Sequence, residues 1–356
     1  MASPGLEALG FTPALARAMA ALEAEGLRPG RVVVGHTPRL SRVATASGEV
    51  MAELAGRLRH QAKSPLDLPA VGDWVALRER PGGGAVIEAV LPRRTAFVRR
   101  AAGERSLPQV LAANVDTVFL VMGLDADFNP RRLERALVLA WESGAAPVVL
   151  LNKADLDPEA ETRRAEIERL AAGVPVLVTA AKQGQGLPAL ERWLSPGRTV
   201  ALLGSSGVGK STIVNRLLGR EKQKTQEVRE ADRRGRHTTS HRELIALPGG
   251  ALLLDTPGLR EIQLWAEGSG LQTAFLDLQE LAAGCRFSDC SHGNEPGCAV
   301  RAAVAEGRLD PARLESFLKL QAELRALEVR EDPRKRRQEL GRWKAVHKSL
   351  RKGKGH

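Results

Sequence analysis

The 356-residue sequence contains no tyrosine and only 3 cysteines, and aromatic residues make up 3% of it. A small, odd number of cysteines argues against the disulfide framework of a secreted domain and for a reducing compartment. No run approaches the roughly 18 apolar residues that a membrane span needs. Even the Ala-rich N-terminus is interrupted by Glu7, Arg17, Glu23 and Glu25. These absences lead us to expect a soluble, cytoplasmic protein with no membrane partner. The length allows two or three domains, and 43% hydrophobic content suffices to build their cores.

What the chain has in excess is positive charge, and that charge is uneven. The formal net charge is +11, and Arg330 to His356 alone carry eleven Lys or Arg against three acids, a net +8. Clustered cations gain by releasing counterions from a phosphate backbone, so a polyanion is the expected partner; a solvated helix face is the alternative. In this tail Leu340, Trp343, Val346 or His347, and Leu350 recur at near-helical spacing after Pro333.

Along the chain, a helix-like N-terminal segment (residues 1–28) gives way to short β-type runs broken by Gly and Pro: RVVVGH, RVATAS, EVMAEL, GDWVALRER and GAVIEAV. About five short strands in this span predict a small Greek-key barrel of OB type over residues 29–108. Trp74 is the sole aromatic in these runs. Base stacking is therefore a weak argument for nucleic acid here, and a spacer barrel remains an alternative. From Val115 the texture changes to continuous apolar strands separated by helices: VDTVFLVMGL, a helix near 130–142, APVVLLNKAD, a helix near 159–171, VPVLVTA, a helix near 187–194, then TVALLGSSGVGKS. Such alternation predicts a parallel sheet covered on both faces, over residues 109–262. RELIALPGG and ALLLDTPG read as two further strands joined by a tight turn.

GSSGVGKS, Gly204 to Ser211, matches G-x-x-x-x-G-K-[ST] between an apolar strand and a helix at about 210–218. In such a loop the glycines let backbone N–H groups of Gly204, Ser205, Ser206, Gly207, Val208, Gly209, Lys210, Ser211 and Thr212 surround phosphate oxygens at a helix N-terminus. Lys210 is expected to reach the β and γ phosphates and Ser211 to ligate Mg²⁺. NKAD, Asn152 to Asp155, follows a strand and selects guanine: a buried Asp155 carboxylate accepts from N1–H and the exocyclic amine, Asn152 braces base and phosphate loop, and the Lys153 stem covers the ring. After the next strand, TAAK places Thr179, Ala180 and Ala181, with the Ala181 N–H expected at the guanine carbonyl. DTPG adds Asp255 for the Mg²⁺ shell and Gly258, whose N–H contacts the γ phosphate. The Arg-rich segment GRHTTS offers Thr239, or else Thr238, as a further Mg²⁺ ligand. Leu259 follows DTPG where a water-orienting Gln is common, so His237 becomes the water-orienting candidate; packing or an RNA contact is its other reading.

The motif order NKAD, TAAK, P-loop, HTT, DTPG inverts that of an ordinary GTPase. A cut after the strand and helix of DTPG, with old termini joined through the helix at 187–194, gives this order without changing the folded sheet. The chain thus resembles the circularly permuted GTPases, and most closely the bacterial family whose GTPase activity depends on the small ribosomal subunit. That family places an OB-fold before the permuted domain and a zinc-binding region after it. The resemblance covers nearly the whole chain. It implies GTP hydrolysis to GDP coupled to late maturation of the small subunit, with its rRNA as partner. It also favours a catalytic His237.

All three cysteines fall in CRFSDCSHGNEPGC, where Cys285, Cys290, His292 and Cys298 are spaced C-x₄-C-x-H-x₅-C. Three thiolates and an imidazole suit one closed, structural Zn²⁺ site in a loop with little apolar material of its own. The pattern also matches the family's zinc region, placed in a helical domain over residues 263–356. We expect an α/β protein and a monomer. Two other functions stay open: assembly of the large subunit, and RNA binding that nucleotide only regulates.

Overall fold

The computed structural model describes residues 5–37, 39–100, 108–219, 242–255 and 269–331. His237, Thr238, Thr239, Gly258, Leu259 and the basic tail beyond Glu331 lie outside the described residues. The chain forms two compact units, residues 1–263 and 264–356.

The first unit opens with helix α1 (Pro13–Ala24), started by Thr12, whose hydroxyl accepts the Leu15 N–H, and by Pro13 in the first turn. Strands β1 (Arg28–Thr37), β2 (Leu40–Thr45) and β3 (Gly48–Leu54) follow, then helix α2 (Gly56–Gln61), β4 (Trp74–Glu79) and β5 (Ala85–Val90). β1 pairs antiparallel with β2 and β4, β2 with β3, and β4 with β5; a parallel β3–β5 pairing closes the ring. This is the expected five-stranded OB-like barrel. Trp74 is 1% exposed and packs on Phe11 with ring centroids 4.8 Å apart, so it is a core residue rather than a stacking platform. A hairpin of β6 (Ala96–Arg100) and β7 (Pro108–Ala113) comes next, so the expected boundary at 108/109 falls at the start of a strand paired to the segment before it.

The sheet that carries the nucleotide motifs comprises β8 (Thr117–Gly123), helix α3 (Pro130–Ser143), β9 (Ala146–Asn152), helix α4 (Ala160–Leu170), β10 (Val176–Val178), β11 (Thr199–Leu203), helix α5 (Lys210–Leu218), β12 (Glu243–Ala246) and β13 (Leu252–Asp255). The strand order is β10-β9-β8-β11-β13-β12, parallel except for β12. Fully buried runs such as Val118 to Leu120 and Val148 to Leu151 explain the unbroken apolar strands: both faces are covered. From edge strand β10 the chain returns to central β11 through the expected helical segment, a 3-10 turn over Leu187–Trp193. Pro188 starts that turn, buried Leu190 anchors it, and Trp193 meets Phe119 edge-on at 6.1 Å.

Barrel and sheet are continuous, since Val34 of β1 pairs with Glu243 of β12. Arg31, 1% exposed, fastens them: it donates to the carbonyls of Leu9, Gly72 and Asn114 and to Thr199 Oγ1 on β11 at 2.8 Å. Burial pulls its pKa down to about 10 against the opposing charge of Asp116, so it remains a cation at neutral pH.

In the second unit, helices α6 (Ser269–Ala274), α7 (Leu276–Ala282), α8 (Ala299–Ala305) and α9 (Pro311–Glu331) surround Phe275 and Phe317, whose rings meet at 5.4 Å. Arg313 lies over Phe275 and holds Asp277 with two hydrogen bonds of 2.6 and 2.8 Å. Among the described residues no helix is long and apolar enough to cross a membrane.

Candidate functional site

Parallel strands bring the motifs to one edge of the sheet, because β9, β11 and β13 all end there, at Asn152, Leu203 and Asp255. The phosphate loop, 204–209, then enters α5 at Lys210. Gly204 has φ +151°, and a Cβ there would lie 2.2 Å from the Val121 carbonyl oxygen. Gly209 has φ +99°, and its Cβ would strike Asn152 Nδ2 at 2.2 Å, so both positions require glycine. Ser206 is exposed in the loop, while Val208 is buried beneath it. Lys210, 8% exposed, curls its Nζ back onto the carbonyls of Gly204, at 2.8 Å, and Ser205. Ser211 and Thr212 occupy the first turn of α5, half-buried, and α5 is anchored below by Ile213, Val214 and Leu218.

Asn152 is the residue that joins the motifs. It is 3% exposed; its Nδ2 donates to the Val208 carbonyl at 2.8 Å, and its Oδ1 accepts from Thr179 Oγ1 at 3.1 Å and from the Ala181 N–H at 3.0 Å. NKAD, TAAK and the P-loop are thus bonded through one amide despite their inverted order. The expected Ala181 donor is engaged by Asn152 here rather than pointing free. Ala180 is buried, its backbone bridging to Gln185. Lys153 adopts φ +68° and pairs with Asp125 at 2.5 Å. Burial raises the Asp125 pKa, but the hydrogen bonds from Lys153 and the Asp127 N–H outweigh it and leave the carboxyl below its ordinary value. Asp155, expected as a buried carboxylate, is exposed in a single 3-10 turn (Ala154–Leu156) and accepts from Gln183 Nε2 at 2.8 Å.

Ser211 offers a hydroxyl in the first turn of α5, and Asp255 a carboxylate at the end of β13, the strand beside β11. Such hard oxygen donors suit Mg²⁺. The third expected ligand, Thr239, lies outside the described residues, as do His237 and Gly258.

In the second unit the Cys285, Cys290, His292 and Cys298 ligand atoms all lie within 4.8 Å of one another. His292 Nδ1 is 3.7 Å from Cys285 Sγ and 3.5 Å from Cys298 Sγ. Burial lowers the His292 pKa and favours the neutral ring that binds metal. At Cys290 a backbone hydrogen bond from His292 draws the thiol down, yet burial and the Cys298 and Cys285 sulfurs push it up to about 11. Sulfurs this close resist ionising together unless a cation neutralises them, so the cluster is compatible with a structural zinc.

Sequence reasoning passed over Asp125, Arg132 and Arg31, which carry no motif signature and acquire partners only through the fold.

The RsgA GTPase family model matches residues 90–265. The chain is 51% identical to the Small ribosomal subunit biogenesis GTPase RsgA of Opitutus terrae, over 97% of each chain. The crystal structure of YjeQ from Thermotoga maritima superposes with a TM-score of 0.61 at 29% identity, over 84% of this chain and 98% of that one. The structure of YloQ, a circularly permuted GTPase, gives 0.58 over 84% of this chain and 96% of the other; at 22% identity it bears on the fold alone. With its phosphate loop and guanine motif in permuted order on this sheet, the chain belongs to the RsgA GTPase family.

Proposed function

We infer that this chain hydrolyses GTP to GDP and phosphate and acts in maturation of the small ribosomal subunit. The observation that carries the reading is Asn152: one buried side chain bonds the phosphate loop and both guanine-side loops into a single site. Asp155 and Lys153 select and cover the base, with Thr179, Ala180 and Ala181 on its other side. The loop from Gly204 to Thr212 takes the phosphates, and Lys210 exchanges its carbonyl partners for phosphate oxygens. Mg²⁺ held by Ser211, Thr239 and Asp255 supplies charge neutralisation on the phosphates when bound. Water then attacks the γ phosphorus in line, the bond to the β–γ bridging oxygen breaks, and Lys210 and the Gly258 N–H receive the developing charge. His237 orients that water, since Leu259 cannot.

One Zn²⁺ per chain closes the Cys285, Cys290, His292 and Cys298 loop. The relatives are named for small ribosomal subunit biogenesis, and a tail of net +8 supports contact with that subunit's rRNA. A cytoplasmic monomer accords with this role. Cosedimentation with separated ribosomal subunits in a non-hydrolysable GTP analogue tests the partner. Pelleting with small subunits and not with large ones is expected; pelleting with large subunits alone overturns it.

A further inference from the structure

The loop joining β8 to α3 and the first turn of α3 hold none of the nucleotide motifs, yet their side chains reach both halves of the site. Asp125 Oδ2 accepts from Lys153 Nζ at 2.5 Å, on the guanine side. Arg132, in the first turn of α3, donates from Nη1 to Ser205 Oγ at 2.6 Å in the phosphate loop, and the same nitrogen pairs with Asp127. The loop itself is well fixed. Its Leu124 N–H donates to the Asn152 carbonyl at 2.8 Å, Asn129 Oδ1 caps α3 through the Arg132 N–H at 3.0 Å, and Asp125 Oδ1 accepts the Asp127 N–H at 3.1 Å.

We propose that Asp125 and Arg132 are positioning residues of a two-armed clamp, one holding Lys153 for the guanine ring and the other holding Ser205 for the phosphates. The proposal rests on the nucleotide-site reading given above. Lys153 has a flexible four-carbon stem, and ordering it on binding costs side-chain entropy. Its ion pair with Asp125, both side chains less than one-third exposed, orders that stem before nucleotide arrives. Arg132 does the same for the first non-glycine residue of the phosphate loop. Its guanidinium, pinned by Asp127 through the same Nη1 that meets Ser205, also brings a full positive charge next to a loop built for anions; a lysine ammonium on a flexible stem is less well ordered for that double contact.

The test is a pair of double-mutant cycles in the full-length chain, read as GDP affinity with a fluorescent GDP analogue: Asp125→Ala with Lys153→Ala, and Arg132→Ala with Ser205→Ala. Each of Asp125→Ala and Arg132→Ala is expected to weaken GDP about fivefold, and each double variant to be no weaker than its worse single, the non-additivity of partners in contact. Arg132→Lys is expected to restore less than half of the loss, and nucleotide-free melting temperatures to stay within about 2 °C of wild type, since these pairs are partly exposed. Additive cycles, or single variants with wild-type GDP affinity, overturn the clamp while leaving the nucleotide site in place. Failure of the wild type to bind GDP overturns the site and the clamp together.

Discussion

Replacing Asn152 by Ala tests the joint between motifs. The wild-type amide satisfies three groups: the Val208 carbonyl, the Thr179 hydroxyl and the Ala181 N–H. The variant leaves all three without this partner in a place where Thr179 and Ala181 are each 1% exposed. An unsatisfied buried group costs about 1–3 kcal/mol, and water entering the vacated space recovers part of it, so a net loss of about 2–4 kcal/mol is expected. For a unit of this size that corresponds to a melting temperature lower by about 4–12 °C in the absence of nucleotide. GDP affinity should collapse further, because the three loops lose their common support. Asn152→Asp keeps the acceptor for Thr179 and Ala181 but sets a carboxylate oxygen against the Val208 carbonyl, so it should melt no higher than the Ala variant. Differential scanning calorimetry and GDP titration measure both effects. An Asn152→Ala protein with wild-type melting temperature and GDP affinity refutes the reasoning.

Asp155→Asn should move preference from guanine towards xanthine nucleotides, since an amide donor suits the oxygen that replaces the guanine amine; competition binding with GDP and XDP checks it, and unchanged preference removes Asp155 from base selection. Cys285→Ser should lower bound zinc from about one per chain and destabilise the second unit while nucleotide binding by the first persists; metal analysis with paired GDP titration reads both. Acidification should do the same. Protons compete with zinc for the His292 ring and the three thiolates, so zinc should be released as pH falls, followed by a chromogenic chelator; retention of zinc at strongly acidic pH removes these four residues as its ligands. His237→Ala should leave GDP affinity intact and reduce subunit-stimulated turnover, as a water-orienting group acts in the transition state.

What was legible in the sequence is what local chemistry dictates. Gly204, Gly209 and Lys210 stand at fixed spacing because backbone must curl around phosphate, and the NKAD loop ends a continuous apolar strand that only a doubly covered sheet requires. The four zinc-type ligands were legible because all cysteines of the chain fall in one loop. Other features depend on long-range packing. Arg31 is one of 53 basic residues until the fold surrounds it with carbonyls. The parallel β3–β5 closure and the β1–β12 pairing join segments whose sequences carry no mark of each other. Asp125 and Arg132 read as loop and helix-surface charges, and become interesting only when β8 and β11 lie side by side. Burial of Asp155 depends on a base covering it; in the protein alone it meets solvent and Gln183.

Single-turnover release of phosphate from GTP, with purified full-length protein alone, with small ribosomal subunits and with ATP in place of GTP, bears most directly on the central claim. Slow release from GTP, acceleration by small subunits and none from ATP are predicted. No phosphate from GTP under any of these conditions, or equal release from ATP, contradicts the account.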